Sequence, residues 1–153
     1  MQALELKIPP PVVALLIAAA MWGISLTSPS IEVPAFIRIV AAVTIALAGG
    51  GVSLSGVISF RRARTTVNPM KPETTSSLVT AGIYRFTRNP MYVGLLFVLV
   101  AWAVFLSSAW ALVGPMVFML YTNRFQIIPE ERALAALFGA EFDAYTARVR
   151  RWL

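Results

Sequence analysis

Apolar residues gather along this chain in four stretches, Pro10 to Thr27, Ala35 to Phe60, Met91 to Leu106 and Ala109 to Thr122. At a rise of ~1.5 Å per residue, a helix over the first matches a ~30 Å hydrocarbon core, and one over the second overshoots it and should tilt or protrude. The last two are short, and Ser107-Ser108 makes a tight break between them. They are expected to form a helical hairpin that spans a locally thin region or enters the membrane partway, with spanning favoured. The pattern therefore predicts an all-α, polytopic membrane protein with about four transmembrane helices, a loop over 61–90 and a single domain over 1–153.

After the last stretch the pattern changes. Pro129, Glu130 and Glu131 read as a helix start, with acidic residues in the first turn. Leu134, Leu137, Phe138, Phe142, Tyr145 and Val149 then recur at near-helical spacing, interrupted by Gly139. An amphipathic helix over 129–150 is expected, lying on the membrane surface or folding over the loop.

Composition agrees with this pattern and narrows the chemistry. Of 153 residues, 58% are hydrophobic and only 13% charged, against about a quarter charged in soluble domains. The length leaves no room for a separate soluble catalytic domain, so any chemistry falls at or in the bilayer. Cysteine and histidine are both absent, which removes disulfides, thiolate nucleophiles, the commonest metal ligands and the usual neutral-pH base. No metal site is expected.

The formal charge of +6 does not point to nucleic acid, because the basic residues flank apolar stretches. Arg61, Arg62, Arg64, Lys71, Arg85 and Arg88 lie in the long loop, and Arg124, Arg132, Arg148, Arg150 and Arg151 in the tail, whereas Ile31 to Pro34 carries only Glu32. Positive-inside asymmetry then puts loop and tail together on the cytoplasmic side of a bacterial-type inner membrane. The first apolar run lacks a strongly basic leader and ends in TSPSIEVP, so it is expected to be retained. Gly49, Ser53 and Gly56 fall at i, i+4 and i+7, a small-residue patch for helix packing, and Arg38 is expected to snorkel to the far interface.

The segment GIYRFTRNPMYVG, Gly82 to Gly94, carries the most information. Arg-Asn-Pro stops an extended segment and starts a helix, since the residue before proline avoids the α region and proline suits the first helical position. The N–H groups of that new helix end would face an anion.

The ordered set LVTAGIYRFTRNPMYVG (Leu78 to Gly94), an apolar hairpin and PEERALAALFGAEFDAY (Pro129 to Tyr145) resembles the isoprenylcysteine carboxyl methyltransferase family and its phospholipid methyltransferase relatives. The resemblance implies S-adenosylmethionine as cofactor, with Ser77, Leu78, Val79 and Tyr84 along its way in and Asn89, Pro90, Met91 and Tyr92 gripping it at the turn. The helix end after Pro90 would meet the cofactor's carboxylate, and Glu130 or Glu131 its ammonium. The family's usual histidine is Asn89 here, which cannot titrate near neutral pH.

Methyl transfer from a sulfonium needs alignment and exclusion of water more than acid–base help. A carboxylate acceptor would be held by Arg124 and by Arg85 or Arg88. An amine would have to lose a proton, for which Glu130, Glu131 or a tyrosine are the candidates. Arg88, Arg124 and Glu131 are thus the candidate catalytic residues, acting on a lipidic substrate that enters sideways from the bilayer. The acceptor stays open among an isoprenylcysteine-like acid, a phospholipid amine, a thiol and a small apolar acid. Two other readings compete: a nicotinamide-dependent membrane reductase, for which arginines around the loop would be needed, and a non-catalytic scaffold whose RRAR segment and basic tail hold anionic lipids.

Overall fold

The computed structural model describes residues 5–63 and 76–153. Arg64 and Lys71 of the expected basic loop lie outside the described residues. Helices dominate, and the described residues contain no strand.

Helix α1 runs over Pro10–Ser25, α2 over Ala35–Arg62 and α3 over Pro90–Leu106. Each starts immediately after or at a proline, whose fixed φ and missing N–H cost nothing in a first turn. Of these, α2 is long and apolar enough to cross a membrane, and α1 and α3 are shorter apolar helices. Arg61 and Arg62 extend α2 past the expected end at Phe60, where their charge suits the negative end of the helix dipole.

The expected break after α3 is present. Ser107 takes a left-handed conformation (φ 54°), and its N–H closes on the Ala103 and Val104 carbonyls. A short 3-10 turn over Ala109–Leu112 then leads into α4, Val113–Thr122. Ser107 also ties down the α1–α2 connection, exchanging bonds with Ile31, while Ser28 and Ser108 share a hydroxyl bond of 2.7 Å. Trp22 and Trp110 are both exposed at this end of the bundle.

Two packing modes hold the helices. Between α2 and α3, the α2 side of the contact is built of small residues: Gly49 faces Gly94 and Phe97, Gly56 faces Pro90 and Met91, and the Ser53 hydroxyl donates to the Met91 carbonyl at 3.2 Å. The patch expected to bring another helix close therefore receives α3. Between α1, α3 and α4 the contacts are larger side chains, centred on Val13, Met21, Leu99 and Phe118. Trp102 crosses this seam, its indole N–H donating to the Ala18 carbonyl at 3.0 Å.

The sequence pattern misplaces the end of the chain in two ways. Pro129 does not begin a fresh helix. Instead α4 continues through a π turn, Asn123–Ile127, into α5, Ile128–Phe138, without leaving the helical region. Pro129 has no N–H to give to the residue 125 carbonyl and its ring would collide with it, so the helix widens there. The Leu6 N–H takes that Phe125 carbonyl at 3.0 Å. The Gln126 amide, fully buried, donates to Ile8, so the amino-terminal segment straps the widened turn.

The single helix expected over 129–150 is also two. Gly139 (φ 47°) is in a region that glycine enters readily, and it turns the chain from α5 into α6, Ala140–Thr146. The turn brings Phe142 and Tyr145 inward, so this tail folds over the loop. Leu137 remains exposed.

Candidate functional site

The loop preceding α3 is short and pinned from several sides. Gly82 (φ 64°) opens a 3-10 turn over Gly82–Arg85. This puts Tyr84, expected in an extended lead-in, in a helical turn with its ring edge-on to Phe60 of α2, 5.3 Å between centroids. The Tyr145 hydroxyl donates to the Tyr84 carbonyl at 2.8 Å, clamping α6 onto this turn. Burial first, then neighbouring Tyr145 and Glu130, push the Tyr84 phenol well above its ordinary pKa. Tyr145, also desolvated, is pushed up to about 12, with Arg88 opposing the rise.

Asn89 begins α3 without capping it. Its side-chain amide donates to the Arg151 carbonyl at 2.9 Å, and its own N–H goes to the Thr87 hydroxyl at 3.2 Å. The Arg88 N–H donates to the Arg150 carbonyl at 3.0 Å. The turn expected to grip a cofactor is thus itself held by the last residues of the chain.

The two glutamates on the first turn of α5 have different surroundings. Glu131 is an ion-pair hub: Arg88 reaches it at 2.8 Å, and Arg151 meets it with two parallel bonds of 3.1 and 2.6 Å. Arg151 also donates to Asn123 of the π turn at 2.9 Å, and Arg88 to the Thr146 carbonyl at 3.3 Å. Forked guanidinium–carboxylate bonds of this kind fix geometry as well as charge.

Glu130 has no cation among the described residues. Its carboxylate accepts the Tyr92 hydroxyl at 2.5 Å. Loss of water pushes its pKa up to about 8; the Tyr92 bond pulls it down, and the neighbouring Glu131 charge pushes it further up. A carboxyl buried without counter-charge holds its proton more tightly than one in water.

The other expected positions are distributed around this pair. Pro90 is buried and Met91 half-buried against Gly56. Val79 is buried, Leu78 half-buried, and Ser77 reaches the Ala63 carbonyl at 3.5 Å. No described hydrogen bond joins Ser77, Leu78 or Val79 to the glutamates. Arg124 is set apart from Arg88: it pairs with Glu5 at 2.7 Å and rests on Phe125, 5.3 Å from the ring centroid. Arg132 pairs with the same carboxylate, and Glu5 is held below its usual pKa by the Arg124 bond above all.

Arg151, Asn123 and Thr87 escaped the sequence reading. Arg151 was visible only as one more positive charge, although Asn123 and Gln126, polar residues closing an apolar span, signalled that this helix end has polar partners. Replacing Arg151 with alanine is expected to lower stability by about 1–2 kcal/mol, since the pair is partly exposed, and to free residues 147–153. Thermal unfolding combined with proteolysis of the carboxyl terminus checks this; an unchanged melting temperature and an equally resistant tail would refute the clamp.

The apolar helical bundle, with a basic turn and a glutamate pair folded together at one end, is that of a family within the isoprenylcysteine carboxyl methyltransferase-like group of membrane methyltransferases. Residues 36–141 match the phospholipid methyltransferase family, and the chain belongs to it. A protein of Haemophilus influenzae described only as uncharacterized is 44% identical over 63 residues, 41% of this chain and the whole of that protein. No solved structure matches.

Proposed function

We propose that the protein transfers a methyl group from S-adenosylmethionine to the amine headgroup of a lipid, at the cytoplasmic face of the membrane that α1 to α4 cross. The observation that carries the reading is the contrast between the two glutamates. Glu131 is consumed by Arg88 and Arg151, while Glu130 sits beside Tyr92 with no cation among the described residues. Of the two carboxylates first considered for the cofactor's ammonium, Glu130 is the one that fits. When bound, S-adenosylmethionine supplies a methyl carbon on a sulfonium whose leaving group is a neutral thioether. Glu130 holds its ammonium, the start of α3 faces its carboxylate, and the buried Tyr84 and Tyr92 narrow the water around it.

Two of the three guanidiniums expected to hold a carboxylate acceptor are engaged, Arg88 by Glu131 and Arg124 by Glu5, and the third, Arg85, is exposed at the end of its 3-10 turn. An amine headgroup needs no such anchor, and its ammonium gives a proton to water at the interface before the free amine attacks the methyl carbon. The reductase reading loses its support to the family match, and Arg61 and Arg62 are exposed at the end of α2.

Purified protein in lipid nanodiscs, given labelled S-adenosylmethionine, is expected to methylate phosphatidylethanolamine and to leave an N-acetyl farnesylcysteine acid unmodified. Label on the acid alone would reverse the acceptor assignment. Absence of cofactor binding by calorimetry at millimolar ligand would remove the methyltransferase reading itself.

A further inference from the structure

We propose a second lipid site at the end of the bundle away from Glu130: an anionic phospholipid with its phosphate on Arg38 and one acyl chain in the groove between α1 and α2. The site is independent of the methyl-transfer reading.

Its position follows from the helix register. Gly56 packs beside Pro90, at the foot of α3. Arg38 lies 18 residues earlier in the same straight helix, about 27 Å away at ~1.5 Å per residue. That distance takes it to the opposite interface of a ~30 Å core. At that level its guanidinium rests over Phe105, 5.7 Å from the ring centroid. Its Nε is buried without a partner, and no carboxylate pairs with it among the described residues. Arg61, Arg62, Arg85, Arg148 and Arg150 likewise show no ion pair among the described residues, but none of them borders the groove.

The groove begins at Phe105, the ring beneath Arg38. It encloses about 680 Å³ between α1 and α2 over a floor of α3. Ala14 and Ala18 form one wall, Ala42 and Ala46 the other, and Leu99 and Trp102 lie along the floor. Phe105, under Arg38, both closes the end of this lining and stacks on Trp102, 5.4 Å between centroids. Along α3 the lining extends from Leu95 to Phe105, about 15 Å, a length suited to most of an acyl chain.

The alanines on α1 and α2 hold the groove open by their small size. In bilayer the open side is filled by hydrocarbon, and the feature that selects among lipids is the charge at its end. A lone arginine with an unsatisfied N–H beside an apolar channel complements a phosphate at the head of a chain.

Native mass spectrometry of the full chain, delipidated and titrated with dioleoyl phosphatidylglycerol or dioleoyl phosphatidylcholine, tests the site. One phosphatidylglycerol is expected to be retained about five-fold more tightly than phosphatidylcholine. Arg38→Gln should bring the two lipids level, and Ala46→Phe should displace both by filling the groove. Arg148→Gln, which removes an exposed charge in the tail, should change neither. If Arg38→Gln retains phosphatidylglycerol as the unaltered protein does, or if the unaltered protein does not distinguish the lipids, the proposal is overturned. Should Ala46→Phe fail to fold, the Arg38→Gln comparison still decides.

Discussion

S-adenosylmethionine binding is expected to tighten on the order of tenfold between pH 6 and pH 7, crest near pH 8 and weaken above it. The rise belongs to Glu130, whose carboxyl, at a pKa of about 8, is mostly protonated at pH 6 and must lose its proton to meet an ammonium. The fall belongs to the ligand, whose α-amino group deprotonates near the same pH. Glu130→Gln removes the rise. At pH 8 it should bind about ten- to a hundredfold more weakly than the unaltered protein, the value of a charge-assisted bond, while at pH 6 the two converge. Calorimetry across this range reads the effect directly. A flat affinity in the unaltered protein, or equal binding by Glu130→Gln at pH 8, would take Glu130 out of the site.

The same carboxyl links pH to folding without ligand. Its folded pKa of about 8 lies above the ordinary 4.5. The stability it contributes is therefore fully present below 4.5 and is lost as pH rises through 8. In the absence of ligand, the protein should melt at lower temperature as pH goes from 6 to 9. Glu130→Gln should be flatter over that interval.

The largest effect on folding is expected at Gly94, where alanine should cost about 3 kcal/mol. A Cβ there would overlap the Ser53 hydroxyl and the Gly49 carbonyl oxygen. Backbone is one of the obstacles, so the two helices must separate. Gly50 lies one residue past Gly49 on the same helix, where a Cβ would meet nothing. Gly50→Ala should raise stability by about 0.5–1 kcal/mol, the ordinary gain of alanine over glycine in a helix interior. Thermal unfolding in detergent distinguishes the two. Equal melting temperatures for Gly94→Ala and the unaltered protein would mean that α2 and α3 do not approach as closely as described.

Much of this architecture could be read in advance, because its causes are local. Apolar runs bounded by proline mark α1, α2 and α3, and Ser107-Ser108 marks the hairpin break. The grouping of the turn with the glutamate pair was also legible, through motif order and the charge asymmetry between loops. The difference between Glu130 and Glu131 was not. Adjacent identical residues differ only through what the third dimension brings near, here Tyr92 for one and Arg88 with Arg151 for the other. The continuous path from α4 into α5 was hidden for a related reason. Pro129 has the same local preference at a helix start and within a widened turn, and the Leu6 N–H that satisfies the released carbonyl comes from the far end of the chain.

The widened turn at Asn123–Ile127 has a consequence for how the chain tolerates insertion and deletion. Successive helical residues are offset by about 100° around the axis. A π turn accommodates one residue more than the regular ladder, so the glutamates face a different direction from the one an uninterrupted α4 would give them. Loss of one residue from this turn would return it to a regular helix and leave the glutamates near their present bearing, whereas loss of one residue from the regular turns of α4 would swing Glu130 away from Tyr92 and Glu131 away from Arg88. The widened turn is therefore the one place between Phe118 and Glu130 where a single deletion should be tolerated.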